Sequence, residues 1–199
     1  MDSSTSDVDS GVKMFPYHPD ASCSVTIDMP TLGPEIHVDE DSSIMFTSNP
    51  PAGGPHFPIW ARWQQSFGQY QTPIPRGYYI HNQEHGGVVL LYKCSGSADG
   101  GFSPDGGSCA EQAEAFLWKA ANAIPTDPGC VPAIRVATII TPDPYIPTPI
   151  AAAAWGWTYT SDCQDLPTLI DFVKAHYGRA PETPDFVPGH AVCAQGTYP

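Results

Sequence analysis

Proline and glycine, 23 and 18 of the 199 residues, interrupt this chain so often that long regular elements have no room to form. Proline fixes φ and has no N–H to give to a helix or a sheet, and glycine loses more freedom than any other residue on being ordered. Short elements joined by long, shaped loops are therefore expected. With 41% hydrophobic residues the chain can still furnish a core, and 199 residues suffice for one substantial domain.

Six cysteines, at 23, 94, 109, 130, 163 and 193, would staple such a loop-rich fold. None forms a C-x-x-C pair, so a four-thiolate zinc site or a thioredoxin-type redox pair has little support, and three disulfides are the better reading. The pairing cannot be deduced from spacing, although Cys94 with Cys109 would tie off the Gly/Ser-rich loop between them. Disulfides imply an oxidising compartment, extracellular or periplasmic. The first residues, MDSSTSDVDSG, show neither the charged nor the apolar region of a signal peptide, so a removed leader or lipid anchor is the expected route out. A cytoplasmic protein with six free thiols is the alternative.

The formal charge of -13, from 21 acids against 8 lysines and arginines, leaves no basic patch to neutralise phosphates, so nucleic acid is not an expected partner. No apolar run reaches the roughly 18 to 20 residues that cross a bilayer. Membrane insertion of the domain itself is not expected either. Oligomeric state and any small-molecule or protein partner stay open.

Residues 1–22 contain almost nothing to bury and read as a disordered acidic linker, leaving 23–199 as a single globular domain. SVTIDMP alternates like an edge strand, and HVDEDSSIMF has room for another short one. Val88 to Tyr92 is the most strand-like run. Ser108 followed by Glu111 forms a capping box before Ala113, Phe116, Leu117 and Ala120 at helical spacing. Residues 133–142 and 151–160 read as neighbouring strands, and DLPTLIDFVKAHYG as a helix ended by Gly178. The order predicts an α+β domain: a small mixed or antiparallel sheet with two helices packed on one face, loop-rich and disulfide-bonded. A flavodoxin-like doubly wound fold is the runner-up, with too few helices and no glycine fingerprint.

The chemistry gathers at HNQEHGGVVLLY, residues 81–92. H-x-x-E-H is the inverted zinc-protease pattern, in which two histidines of one helical face bind zinc and the glutamate is general base. On a helix His81 and His85 lie about 5 to 6 Å apart at Cβ, but on a strand roughly 13 Å, beyond joint ligation. Gly86, Gly87 and the strand that follows argue against a long helix, so a single turn or a bulged loop is expected. A third ligand is needed. His56, in the rigid segment PPAGGPH, is the first candidate and His37 the second. Glu84 is a ligand, a partner of an imidazole N–H, or a catalytic general base. Trp60, Tyr70, Tyr78 and Tyr79 are candidate pocket walls, Trp155-Gly156-Trp157 is expected in the core and pocket wall, and His18, His176 and His190 are read as ordinary histidines. Asp99 and Asp105 lack the alternation of a calcium loop.

Pro50, Pro51, Gly54 and His56, then His81, Glu84, His85, Gly86, Gly87 and Val88, then Trp155 with Gly156, resemble a family of bacterial secreted or membrane-anchored domains without an assigned function. The resemblance spans about residues 37 to 182 and implies an exported domain. The loop between Cys94 and Cys109 and the additional cysteines depart from its pattern.

The leading expectation is an exported domain binding one transition metal, copper or zinc, through His56, His81, His85 and His37, with Glu84 as a ligand or as the catalytic base. Against it stands a non-catalytic extracellular interaction module, in which HNQEHGG only stabilises a tight turn into the strand and the imidazoles diverge. A metal-independent hydrolase is the third reading, without a nameable nucleophile.

Overall fold

The computed structural model describes residues 23–94, 102, 107–126, 130–131, 138–183 and 193–198. The acidic linker expected over 1–22, His18, His190, Asp99 and Asp105 lie outside the described residues.

Among the described residues, five strands form one mixed sheet in the order β1-β5-β4-β2-β3. They are β1 (Val25–Asp28), β2 (Val88–Tyr92), β3 (Thr138–Pro142), β4 (Ile150–Ala154) and β5 (Trp157–Ser161). β2 and β3 run parallel, and the other three pairings are antiparallel. The helices are α1 (Arg76–Glu84), α2 (Cys109–Ala121) and α3 (Leu166–His176). The α+β class is thus observed, with β1 as the edge strand read from SVTIDMP.

Every side chain of β2 is buried, which explains its unbroken run of apolar residues: both faces of this central strand are covered. Val88, Leu90 and Tyr92 pack under α2 and α3 with Phe116, Leu117, Leu169 and Phe172. Val89 and Leu91 face the opposite side, toward Tyr79 and Ile80 of α1 and Trp63 of the long loop. Helices α2 and α3 therefore share one face as expected, and a third helix covers the other.

The expected capping box is present at α2: Ser108 Oγ accepts from Glu111 N–H and Glu111 reaches back to the Ser108 backbone. Asp165 caps α3 through Thr168 N–H, and Gly178 follows its end at φ +67°. The cysteines pair as Cys23–Cys163, Cys94–Cys109 and Cys130–Cys193, with Cα separations of 5.5, 5.9 and 5.4 Å. No helix among the described residues is long and apolar enough to cross a membrane.

Three expectations need correction. The stretch 37–46 holds no regular strand; its one β contact is a parallel bridge between His37 and His56, held by Val38 N–H to His56 O at 2.8 Å and His56 N–H to Ile36 O at 3.1 Å. Residues 151–160 are two strands, because Gly156 takes φ +80° and turns the chain into the β4–β5 hairpin. The segment ending at Pro142 does not neighbour that hairpin directly, since β2 lies between β3 and β4.

Candidate metal centre

Helix α1 is nine residues long and carries His81 and Glu84 in its last turn, where only a single turn or bulged loop was expected. It lacks the usual two-faced pattern because Gly77, Tyr79, Ile80, His81, Asn82, Gln83 and Glu84 are all buried. One side meets the sheet, and the polar side is buried by the long loop. Asn82 clasps Ala61, its Oδ1 accepting from Ala61 N–H at 2.9 Å and its Nδ2 donating to Ala61 O at 2.8 Å. Gln83 Nε2 donates to Pro51 O at 3.0 Å. These side chains satisfy the backbone of a Pro/Gly-rich segment that cannot pair with itself.

Gly86 N–H bonds to Gln83 O and Gly87 N–H to Asn82 O, a Schellman ending in which the first residue past the cap needs positive φ. Gly86 supplies it at φ +82°. His85 is consequently the C-cap of α1, at the point where the chain swings into β2.

The loop segment contributes His56. Its Nδ1 donates to Gly54 O at 2.8 Å, and its ring meets the Trp155 indole edge-on at 5.9 Å. That indole lies against Gly53, where φ is +121° and a Cβ would come within 3.1 Å of the ring, so a side chain there would be strained and would crowd the indole. His37 arrives through the bridge to His56. The rings of His37, His56 and His81 lie 4.7, 4.9 and 5.0 Å from one another, converging on the carboxylate of Glu84.

Glu84 Oε2 is 3.1 Å from His56 Nε2, 3.6 Å from His37 Nε2 and 3.8 Å from His81 Nε2. His81 Nδ1 donates to Phe57 O at 2.6 Å. Both buried histidines thus spend their Nδ1–H on backbone carbonyls, which turns each Nε2 inward, and His56 Nε2 forms a hydrogen bond with Glu84 Oε2. Four donors arranged tetrahedrally about 2.1 Å from an ion would lie about 3.4 Å apart, close to the three distances observed. These four residues could hold a metal ion; their ligand atoms all fall within 4.8 Å of one another.

His85 belongs to a neighbouring group. Its Nε2 is 3.1 Å from His81 Nε2, and its Nδ1 is 2.7 Å from Glu182. Burial pushes the His81 pKa down to about 4 and lowers that of His85 as well, which keeps both rings neutral and able to ligate. Glu35 is exposed and has its pKa raised, first by local desolvation and next by the Glu84 charge. Trp60 packs against both His81 and His85, at 5.0 and 4.8 Å, while those two rings stack on each other at 4.9 Å.

The three tyrosines considered as pocket walls are engaged elsewhere. Tyr70 O–H donates to Arg62 O, Tyr78 O–H to Glu40 and Tyr79 O–H to Asp143. Trp155 walls the site through His56, whereas Trp157 lies against His176 on the opposite face. Glu35 and Glu182 were not anticipated; each is a lone acid in a loop and carries no local signal of the site.

Among known families, the one described as "Protein of unknown function (DUF3105)" matches residues 37–101. That interval contains His37, His56, His81, Glu84 and His85, and is shorter than the span to residue 182 over which the resemblance was drawn. No curated protein and no solved structure matches the chain. Over residues 37–101 the chain is similar to a domain family whose function is not known.

Proposed function

We propose that this protein is an exported domain, folded over residues 23–199, that binds one divalent transition metal through His37, His56, His81 and Glu84. The observation that supports this is the Nδ1–H of His56 and of His81 each tied to a backbone carbonyl, so that both Nε2 atoms turn toward the buried Glu84 Oε2, 3.1 and 3.8 Å away, with His37 Nε2 at 3.6 Å. Four potential ligand atoms gathered in this way suit a cation. The carbonyl partners also fix the tautomer and the ring orientation, as second partners of metal-bound histidines do.

Three imidazoles and one carboxylate without a thiolate suit zinc or copper(II), and the near-tetrahedral spacing favours zinc. Glu84 acts here as a ligand, since its Oε2 stands among the ring nitrogens where a general base would need to face a water. Three disulfides agree with an exported protein.

Metal analysis of protein purified without a nickel column tests the reading. At least one equivalent of zinc or copper in the native protein, with one equivalent lost in His56→Ala and in His81→Ala while both remain folded by circular dichroism, is expected. Substoichiometric metal that the substitutions leave unchanged would reject it. The absorption edge of the bound ion would identify the element.

A further inference from the structure

Resting on that reading of the first centre, we infer that a second divalent cation binds beside it at Glu84, His85 and Glu182, so that the Glu84 carboxylate bridges two ions. The three residues offer ligand atoms that all lie within 4.8 Å of one another. They share Glu84 with the first group, and His85 Nε2 is 3.1 Å from His81 Nε2, so the two centres adjoin.

An unpartnered nitrogen at His85 points the same way. His85 Nδ1 is buried and has no hydrogen-bond partner among the described residues, although the Glu182 carboxylate lies only 2.7 Å away without the alignment of a hydrogen bond. A cation seated between that nitrogen and the carboxylates would engage both.

Glu182 is not placed there by chance of a free loop. After α3, Gly178 N–H bonds to Gly86 O at 2.9 Å and Glu182 N–H to Glu84 O at 3.4 Å, which lays the segment along the end of α1. Its side chain is 49% exposed, so this position opens to solvent, whereas His56, His81 and Glu84 of the first are buried. A shared carboxylate is the usual means of holding two such ions about 3.5 to 4 Å apart. The solvent-facing ion, with three protein ligands, retains positions for an exchangeable anion or a water.

Chelator-stripped protein titrated with Zn2+ and counted after gel filtration is expected to take up two equivalents, and Glu182→Gln one. Saturation of the native protein at one equivalent, or two equivalents still held by Glu182→Gln, overturns the second site and leaves the first standing. No uptake at all overturns the first centre. Loading with Cu2+ provides a second measurement that needs no variant: two ions sharing Glu84 should give a half-field electron paramagnetic resonance line and an attenuated main signal. Two bound copper ions with full, uncoupled signal would overturn the bridge.

Discussion

His81 and Phe57 are joined across the site: the ring Nδ1–H donates to the Phe57 carbonyl at 2.6 Å, and this one bond sets which nitrogen faces Glu84. Replacing His81 by alanine removes one of the proposed ligands and strands a buried carbonyl. Metal held at the first centre should fall below a tenth of an equivalent, and the metal-free protein should lose about 1 to 3 kcal/mol in denaturant titration.

The metal-free protein should weaken as pH falls from 6.5 toward 4. Burial depresses the pKa of both His81 and His176 from 6.5 to about 4, so in this window the unfolded chain binds more protons than the native one. Stability therefore rises with pH across it. The His81 contribution alone reaches roughly 2 to 3 kcal/mol at the acid end, since each pH unit is worth about 1.4 kcal/mol. Glu114, raised by burial, works in the opposite direction just above 4.5. His176 lies 4.6 Å from the Trp157 and Phe172 rings, remote from the centre, and His176→Gln should reduce the slope of melting temperature against pH without changing metal content.

Gly86→Ala should be costly. At φ +82° an L side chain is strained by about 1 to 2 kcal/mol, and its Cβ would come within 2.6 Å of Thr183 Oγ1 and 2.8 Å of Gly178 Cα. A loss of at least 2 kcal/mol in urea unfolding is expected. The substitution should also weaken metal binding, because it disturbs the end of α1 that carries His81 and Glu84.

The Cys94–Cys109 bridge closes a loop with a sequence separation of 15 and joins the end of β2 to the start of α2. Replacing both cysteines by serine should cost about 3 kcal/mol. Metal content should stay at the native value, because neither residue contacts the histidines; calorimetry and metal analysis of the same sample check both halves.

Much of the sheet-and-helix frame was legible because its signals are local. Ser108 and Glu111 announce α2, Asp165 and Gly178 bracket α3, and the solid apolar run of β2 marks a strand covered on both faces. Helix α1 was not legible. Its residues are buried on the polar side too, so the 3.6-residue alternation never forms, and the Asn82 and Gln83 side chains are consumed by Ala61 and Pro51 at positions no local rule connects. Gly156 did carry a signal for the hairpin, masked by the strand-forming residues around it. The histidines stood out by type and spacing. What brings His37 and Glu35 to Glu84 is a bridge between irregular segments, and Glu182 arrives only when the chain beyond α3 folds back, a long-range event with no footprint in its neighbours.

The clasp between His37 and His56 consists of two backbone bonds, Val38 N–H to His56 O and His56 N–H to Ile36 O. His37 is half exposed, whereas His56, His81 and Glu84 are anchored in the interior. At the proposed metal site, loading and unloading would require only that this strap peel away, an excursion far smaller than global unfolding. Residence time at the centre would be a property of the strap, adjustable by sequence changes at 36–38 that leave the three interior donors untouched.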